Sequence, residues 1–307
     1  MDKNTIIGFV MIAAILIGYS IYSQPSEEEI AQQKELARLD SIQNAKNKKD
    51  AELKFKAEKE HSVEDNDSTG VFFAASKGVN KDIILENEKL ALTFSTHGGV
   101  VKKAVVKNFK GHRKDMPDTD NVTLFDSDDQ HLNFMVATKE SNISTKDLYF
   151  TPSEVTDSTL TLTAEASQGK SLVLTYKLGK DYMLHMSLRV NGMKGLFAPN
   201  YDKIDIDWYD KCRQQEKGFT FENRYTTLTY KENNGSSDYL SETSEKRDES
   251  IEEALDWVAF KNQFFSVIMI SKDNFEKNAL LTSIPQEKGT GYLKEFQAKM
   301  KTAFDPT

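Results

Sequence analysis

The most apolar stretch of the chain lies close to its N-terminus. Residues 6–22 read IIGFVMIAAILIGYSIY and include no charged side chain. A helix of this length extends about 25 Å, which is the lower limit for crossing the hydrocarbon core of a bilayer. The pattern therefore predicts a membrane anchor, whose apolar and aromatic members are Ile6, Ile7, Phe9, Val10, Met11, Ile12, Ile15, Leu16, Ile17, Tyr19, Ile21 and Tyr22.

A cleavable signal peptide is the alternative interpretation of this run. Cleavage requires small residues just before the cut, whereas this run ends in the bulky Ile21 and Tyr22, shortly before Pro25. The sequence therefore favours an uncleaved anchor. Lys3 precedes the run and residues 27–29 are all Glu. The positive-inside tendency then favours a cytoplasmic N-terminus with the rest of the chain outside, which in a bacterium is the periplasm.

The pattern from residue 26 to about residue 61 is charged and rich in Glu, Lys, Ala and Gln, which are strong helix formers. It predicts a solvated helical spacer that holds the following domain away from the membrane. Ile30, Ala37, Asn44 and Ala51 repeat at heptad spacing, so a coiled coil is the alternative. Residues 62–76 are mostly small and polar and predict a linker.

From residue 79 onward, apolar and polar positions alternate as they do in half-buried antiparallel strands. Turn-forming pairs separate these segments, namely Gly98–Gly99, Pro117–Asp118, Asn191–Gly192 and Asn234–Gly235. The clearest alternations contain the apolar positions Leu90, Leu92 and Phe94; Leu160 and Leu162; Leu172, Leu174 and Tyr176; Leu184, Met186, Leu188 and Val190; and Ile204, Ile206 and Trp208. This many strands over about two hundred residues predict a mainly β fold, a large antiparallel sandwich.

Near the C-terminus the spacing of apolar residues lengthens. Leu293, Phe296, Met300 and Phe304 are separated by three, four and four positions, which places them on one face of a helix that Pro306 would end. The predicted organisation is an anchor over residues 1–25, a charged helical spacer and linker over 26–76, a periplasmic sandwich over 77–285 and a C-terminal helix over 286–307.

A second apolar and aromatic stretch, WVAFKNQFFSVIMI, runs from Trp257 to Ile270. It is too short to span a bilayer, and the polar residues 261–263 interrupt it. Residues 264–270 therefore predict a central strand that is buried on both faces, entered through a short turn or edge segment. A partner surface at Trp257 and Phe260 is the alternative.

Charge and composition exclude several classes of function. The net charge is −8 and the basic residues form no patch, so nucleic-acid binding is not expected. Cys212 is the only cysteine, which excludes a disulfide within the chain and any Cys-based zinc spacing. The sequence contains no HExxH, GxSxG or GxGxxG motif, so no catalytic, cofactor-binding or metal-binding residue is predicted.

One polar grouping still invites a functional interpretation. Asp202, Asp205, Asp207 and Asp210 form an acidic cluster, and Asp205 and Asp207 share one face of a predicted strand. A calcium site or a carboxylate pair for sugar hydrolysis would use such groups, whereas an acidic face toward solvent is the simpler interpretation. His97 precedes a Gly pair and is interpreted as part of a turn rather than as a catalytic base.

The stretch from residue 256 to residue 270 closely resembles a segment near the end of the large periplasmic domain of YidC-type membrane protein insertases. In that family a Trp-Val-Ala motif leads into an aromatic run. Three further segments agree: residues 1–29 resemble the first membrane span and acidic stretch of the Bacteroidota branch, residues 87–109 resemble the domain's first strands and their Gly-Gly turn, and residues 216–232 resemble that branch too. The family motif, which is also the candidate partner surface, comprises Gly98, Gly99, Trp257, Val258, Ala259, Phe260, Phe264 and Phe265.

The resemblance implies a β-supersandwich related to sugar-mutarotase domains and closed by a C-terminal helix. It implies a non-enzymatic role in the inner membrane: inserting and folding nascent inner-membrane proteins, alone or beside the Sec translocon. The family performs insertion in a hydrophilic, Arg-containing groove made by five later membrane spans. No long apolar run follows Ile270, so no groove residue is assigned, and the chain represents the anchor and periplasmic domain.

The alternative function is a membrane-anchored periplasmic sandwich that binds a sugar or a peptide. Aromatic residues over a concave sheet would form such a site, with Trp208, Tyr209 and Tyr225 as candidates. A mutarotase-like enzyme would need a histidine and a carboxylate converging in a cleft, and the sequence contains no motif for that arrangement.

Overall fold

The computed structural model describes residues 70–111, 121–167, 169–240 and 245–306. Within these ranges the chain is almost entirely β-structure, with one short α-helix, α1 (Phe219–Arg224), and three 3-10 turns. The strands in chain order are β1 (Asp82–Glu86), β2 (Leu90–Ser95), β3 (Val101–Lys110), β4 (Asn121–Asp126), β5 (Gln130–Ala137), β6 (Asn142–Ser144), β7 (Thr151–Val155), β8 (Thr159–Glu165), β9 (Ser171–Leu178), β10 (Leu184–Asn191), β11 (Lys203–Arg213), β12 (Thr227–Glu232), β13 (Ser237–Tyr239), β14 (Arg247–Ile251), β15 (Leu255–Lys261), β16 (Ser266–Phe275), β17 (Ala279–Pro285) and β18 (Tyr292–Ala303).

The described strands form three sheets. The first has the order β1-β2-β3-β4 and the second the order β10-β9-β8-β7. The third has the order β13-β12-β15-β16-β18-β11-β5-β6, and β17 joins it through β18 and carries β14. All of these pairs are antiparallel, which short turns between successive strands permit.

The first two sheets pack through aromatic residues at alternate strand positions. The rings of Phe94 on β2 and Tyr176 on β9 lie 4.8 Å apart between centroids. The buried Tyr176 hydroxyl donates a 2.7 Å hydrogen bond to the carbonyl of Gly99, so the turn after β2 is tied to the second sheet. Gly98 and Gly99 have φ angles of +80° and +69°, a region that favours glycine because it lacks a Cβ.

The third sheet folds over a core of its own. Trp208 on β11 stacks against Phe260 on β15 with a centroid distance of 3.8 Å, and Phe260 lies 5.4 Å from the ring of Phe296 on β18. Because β11 and β15 are not neighbours in the sheet, these rings meet face to face between its two halves. The result is a β-sandwich, as the alternating pattern predicts.

Most of the predicted strands are confirmed. Their apolar members are buried on β2, β8, β9 and β11, at Leu90, Leu92, Phe94, Leu160, Leu162, Leu172, Leu174, Tyr176, Ile204, Ile206 and Trp208. On β10 only Val190 is buried, while Leu184 and Leu188 are half-buried and Met186 is exposed. This difference follows from the position of β10 at the end of its sheet.

The predicted C-terminal helix is wrong, because residues 292–303 form β18, the longest strand of the structure. β18 pairs with β11 along its whole length and with β17 on its other side. The buried side chains include Phe296, Ala298 and Met300, a period of two. The sequence is ambiguous here because a spacing of four residues fits both a helix and a strand. The small Ala298, midway between Phe296 and Met300, gives only a weak apolar signal for the strand.

The predicted central strand over residues 264–270 is also wrong in its burial. The strand paired on both edges is β15, which lies between β12 and β16. On β16, Val267 and Met269 face the core, whereas Ile268 and Ile270 are 53% and 58% exposed. A strand with a continuous apolar run is buried on both faces only when a second layer covers its outer face. Among the described residues, no such layer covers Ile268 and Ile270.

The anchor and spacer predictions lie outside the described residues, as does the Pro117–Asp118 turn. Within the described residues, no helix is long and apolar enough to cross a bilayer. The end of the predicted linker is described, and there Phe72 and Ala75 pack into the core. Residues before residue 77 therefore contribute to the core of the sandwich.

Candidate interaction surface

The turn between β15 and β16 is held by one side chain. The Oδ1 atom of Asn262 accepts hydrogen bonds from the backbone N–H groups of Phe264 and Phe265, at 3.0 and 3.1 Å. Its Nδ2 atom donates a 3.2 Å hydrogen bond to the carboxyl group of Glu222 on α1. Asn262 is buried, and these three bonds satisfy most of its polar capacity. The turn is therefore fixed relative to α1.

Aromatic side chains crowd this end of the domain. Phe264 is 64% exposed at the turn. Phe265 is half-buried and packs edge-on against Phe109 of β3, with a centroid distance of 5.7 Å. Phe221 on α1 and Tyr225 directly after it are both exposed and contact each other. Exposed aromatic groups that lie on adjacent, mutually anchored segments mark a surface for recognition rather than isolated surface apolar residues.

The outer face of β16 and β15 extends this apolar character away from the turn. Ile268 lies opposite Ala259, and Ile270 lies opposite the half-buried Trp257. Farther across the sheet, Ala259 lies opposite Thr229 of β12. We call Trp257, Phe264, Ile268 and Ile270 the outer apolar face. Its members alternate with core-facing residues, because successive side chains of a strand point to opposite sides.

Cationic side chains surround the turn. Lys110, Lys217 and Arg224 are exposed on the segments that adjoin it, and Lys261 lies directly opposite Ser266 at the start of β16. Nearby carboxyl groups are the half-buried Glu216 and the buried Glu222. Arg224 and Lys261 therefore place positive charge beside the turn.

A buried carboxyl group lies beneath the turn. Asp210 on β11 faces inward with 4% of its surface exposed, and its Oδ1 atom has no hydrogen-bond partner among the described residues. Burial raises the pKa of Asp210 to about 8, and the neighbouring Asp129 charge acts in the same direction while Arg213 opposes it. A small recess of about 20 Å³ adjoins Asp210 and is lined by Phe260, Asn262 and Phe265 among others. That volume suffices for one water molecule.

Glu222 is the second carboxyl group with an altered pKa. Burial raises its pKa to about 7, although the backbone N–H groups of Gln215 and Glu216 donate to it and oppose the rise. It links α1, the β11 end and the β15–β16 turn through these bonds and through Asn262. Glu222 therefore organises the base of the surface rather than its exposed part.

The predicted acidic cluster separates into two faces. Asp205 pairs with Lys301 at 3.1 Å, and Asp207 accepts a 2.7 Å hydrogen bond from Gln297, whereas Asp210 points into the core. The first two border an open groove of about 860 Å³ across β5, β11, β17 and β18. Across the described ranges, no three His, Cys, Asp or Glu side chains are grouped so as to hold a metal ion.

The family-motif residues occupy different environments. Val258, Ala259 and Phe260 are buried, so Phe260 is unavailable to a partner. Gly98 and Gly99 form the turn between β2 and β3 of the first sheet. Ile268 and Ile270 belong to the surface but were not predicted, because a run apolar at every position gives no signal for which face is covered.

The candidate sugar-binding aromatics also separate. Trp208 is buried against Phe260, Tyr209 stacks on His131 with a centroid distance of 4.9 Å, and Tyr225 directly follows α1. His97 stacks on Tyr149 beside the first turn. These residues do not converge on one site.

The described residues define the class of this protein as a mainly β sandwich domain that exposes apolar side chains at the outer apolar face. The family model of the YidC periplasmic domain matches residues 82–307. The chain therefore belongs to the YidC family and carries its periplasmic domain, so it is part of an inner-membrane protein with a periplasmic domain.

The relatives it resembles carry the same family name. Proteins named membrane protein insertase YidC are 44% identical in Phocaeicola vulgatus, 38% in Bacteroides fragilis and 32% in Porphyromonas gingivalis. The alignments cover 100%, 100% and 96% of this chain and 48%, 49% and 47% of those proteins. The chain thus spans about half the length of these relatives.

Solved structures of similar fold are mutarotase-like. A putative aldose 1-epimerase from Escherichia coli has a TM-score of 0.42 at 10% identity, covering 73% of this chain and 88% of that one. A galactose mutarotase-like protein from Lactobacillus casei has a TM-score of 0.44 at 14% identity, covering 74% and 91%.

Proposed function

We propose that this chain is the membrane anchor, helical spacer and periplasmic domain of a YidC-type insertase, a non-enzymatic protein that assists the insertion and folding of inner-membrane proteins. The observation that carries the proposal is the match of residues 82–307 to the YidC periplasmic domain. Relatives named as YidC insertases that align over essentially the whole chain support it.

The physical task of such a protein is to lower the cost of moving polar segments into the bilayer. Isolated polar or charged groups at bilayer depth are expensive. The resemblance assigns that step to membrane spans beyond the periplasmic domain. The residues described here would act on the periplasmic side, where segments of nascent inner-membrane proteins emerge. The Sec translocon is the second proposed partner.

The N-terminal apolar run supports the proposed attachment to the membrane. Residues 6–22 would form a single span. Lys3 before it and the three Glu residues after it favour a cytoplasmic N-terminus and a periplasmic sandwich. The charged residues up to about residue 61 would form the helical spacer between the span and the sandwich.

A chimera tests the proposal in cells. This chain replaces the aligned 48% of the Phocaeicola vulgatus insertase, the rest of that relative is kept, and the native insertase of the host is depleted. We expect the chimera to restore insertion of client membrane proteins, measured by protease protection. A chimera that accumulates in the inner membrane to the level of the intact relative without inserting clients would refute the proposal. Phe260→Asp within the chimera is the matched loss-of-fold control.

A further inference from the structure

The first part of β16 is paired on one edge only. Over Ser266–Ile270 it pairs with β15. Residues 271–274 interrupt this ladder, which resumes where Phe275 pairs with Leu255 of β15. Phe275 is also the residue of β16 that pairs with β18, and Ser271 and Thr302 share a 2.6 Å hydrogen bond. No strand in the described ranges pairs with the other edge of Ser266–Ile270.

The register shows which backbone groups face this open edge. Asn262 N–H bonds to the carbonyl of Phe265. Hydrogen-bonded and non-bonded pairs alternate along an antiparallel ladder, so the residues of β16 that bond to β15 are Val267 and Met269. The N–H and C=O groups of Ser266, Ile268 and Ile270 therefore point to the open edge. About five residues at ~3.3 Å each give an edge about 17 Å long.

This edge lacks the features that usually keep a sheet edge from pairing with another chain. Natural edges are shortened, covered, or interrupted by charges or Pro. In the described part of the chain, β6 and β13 have three residues each, and the β4 edge is covered by Gln215. The remaining terminal strands carry charged residues or Pro. These are Asp82 and Glu86 on β1; Pro152 and Glu154 on β7; His185 and Arg189 on β10; and Arg247, Asp248 and Glu249 on β14.

Strand β1 provides the sharpest contrast. Its Ile84 is 62% exposed, as Ile268 is on β16. On the same face, however, Ile84 lies between Asp82 and Glu86, which pair with Lys102 and Lys107. Ile268 lies between Ser266 and Ile270, with no charge until Lys272. The edges of β1 and β16 therefore both expose an Ile side chain, but only on β1 do charged residues lie on either side of it.

The size of the edge indicates what occupies it. A stable dimer interface buries on the order of 1,200–2,000 Å², which an edge of this length with three or four apolar side chains does not supply. A single extended peptide needs only the backbone bonds and the side-chain contacts of the strand. The cations at the start of the edge, Lys261 opposite Ser266 and Arg224 on α1, favour acidic flanks on that peptide.

The geometry points to β-strand addition: the open edge of Ser266–Ile270 binds an extended, apolar peptide segment of another protein, flanked by acidic residues, as an additional strand beside the outer apolar face. This inference concerns the periplasmic domain alone and does not depend on insertase activity.

The test measures peptide binding to the full 307-residue chain in lipid nanodiscs by fluorescence anisotropy. The probe is a labelled nonapeptide in which five alternating Val and Thr residues stand between two Asp residues at each end. Two further probes carry the same sequence with alternate backbone N-methyl groups, which block strand pairing, or with Lys in place of Asp. Two variants alter the edge: Ile268→Pro removes an N–H that does not serve β15, and Ile270→Glu introduces a negative charge that repels the acidic flanks of the probe.

We expect the unmethylated acidic probe to bind, the N-methyl probe not to bind, and the Lys-flanked probe to bind at least threefold more weakly, about the effect of one exposed charge contact. Either variant should weaken binding by about fivefold or more, the loss that one unmade hydrogen bond or one unfavourable charge causes. The matched control Ile84→Glu should leave binding unchanged. Melting of each variant is checked, and either folded edge variant suffices.

Four outcomes would overturn the inference. The acidic probe fails to bind the wild-type chain. Binding is undiminished in folded Ile268→Pro or Ile270→Glu protein. Leu280→Lys, which alters the groove instead of the edge, abolishes binding while the edge variants do not. A wild-type chain that dimerises in sedimentation and becomes monomeric with Ile268→Pro would assign the edge to a second copy and would equally reject a peptide ligand.

Discussion

The indole ring of Trp208 and the phenyl ring of Phe260 stack at a centroid distance of 3.8 Å with an interplanar angle of 19°. The pair joins β11 to β15, which are not neighbours in the sheet, and both side chains are buried. The contact therefore closes the third sheet on itself, and it lies directly beneath the outer apolar face. Core and surface share the short segment from Trp257 to Ile270.

Phe260→Ala should lower the free energy of unfolding by about 3–5 kcal/mol, because it removes a fully buried ring and leaves a cavity. Phe264→Ala is the matched control: the same chemical change at a position that is 64% exposed should alter stability by less than about 0.5 kcal/mol. Denaturant unfolding of the two variants measures the difference. Equal losses would mean that Phe264 is also covered in solution.

The extent to which sequence predicts this fold depends on how cleanly a segment alternates. β2, β8, β9 and β11 place Leu, Ile or aromatic residues at every second position with polar residues between them, and those strands were predicted correctly. β18 was not, since Phe296, Met300 and Phe304 are four residues apart and fit both a helix and a strand. Pairing with β11 and β17 decides between the two, and that information is not local.

For the surface, sequence located the segment but not its exposed residues. The family motif predicts a partner surface that includes Trp257, Phe260 and Phe264, of which Phe260 is buried. Ile268 and Ile270 alternate with Val267 and Met269, and all four are apolar, so no local pattern distinguishes the covered face. The open edge arises because β16 pairs with β18 only at Phe275, which is a tertiary feature.

The Gly98–Gly99 turn provides a test that separates backbone strain from packing. Both glycines have positive φ angles, so Ala at either position should cost about 1–2 kcal/mol. At Gly99 an added Cβ would also lie 2.7 Å from Leu174 Cδ1 and 3.0 Å from Phe150. At Gly98 the nearest atoms are 3.6 Å away.

Gly99→Ala should therefore destabilise the domain by about 1–3 kcal/mol more than Gly98→Ala, the usual cost of overpacking. Thermal unfolding of the two variants under identical conditions provides the comparison. If Gly98→Ala proved the more damaging, the packing of the turn against β9 would have to differ from that described here.

The C-terminal strand can be tested with a pair of alanines. Ala298 is fully buried and Ala303 is exposed, both on β18. Ala298→Asp should lower the free energy of unfolding by about 3 kcal/mol or more, because it buries a charge without a partner, while Ala303→Asp should have little effect. Had residues 292–304 formed the predicted helix, Ala298 would lie off its apolar face and both substitutions would be mild. Urea denaturation distinguishes the two structures.

The buried carboxyl of Asp210 predicts an unusual dependence of stability on pH. Burial raises its pKa from 3.8 to about 8, whereas in the unfolded chain it remains near ~3.9. Between these values the folded protein binds more protons than the unfolded chain, so the free energy of unfolding falls as the pH rises from about 4 to about 8, and it levels off above that range. Glu222, with a pKa raised to about 7, contributes in the same direction over most of the window.

Asp210→Asn replaces the carboxyl with a neutral group of similar shape and should remove part of this decline. The difference in unfolding free energy between pH 5 and pH 8 should shrink by at least about 1 kcal/mol relative to the wild-type chain, which corresponds to less than one pKa unit of the shift. Asp205→Asn alters a carboxyl on the opposite face of the same strand and should leave the decline as steep as before. If both variants flattened the profile equally, or neither did, the Asp210 carboxyl would not be the buried titrating group.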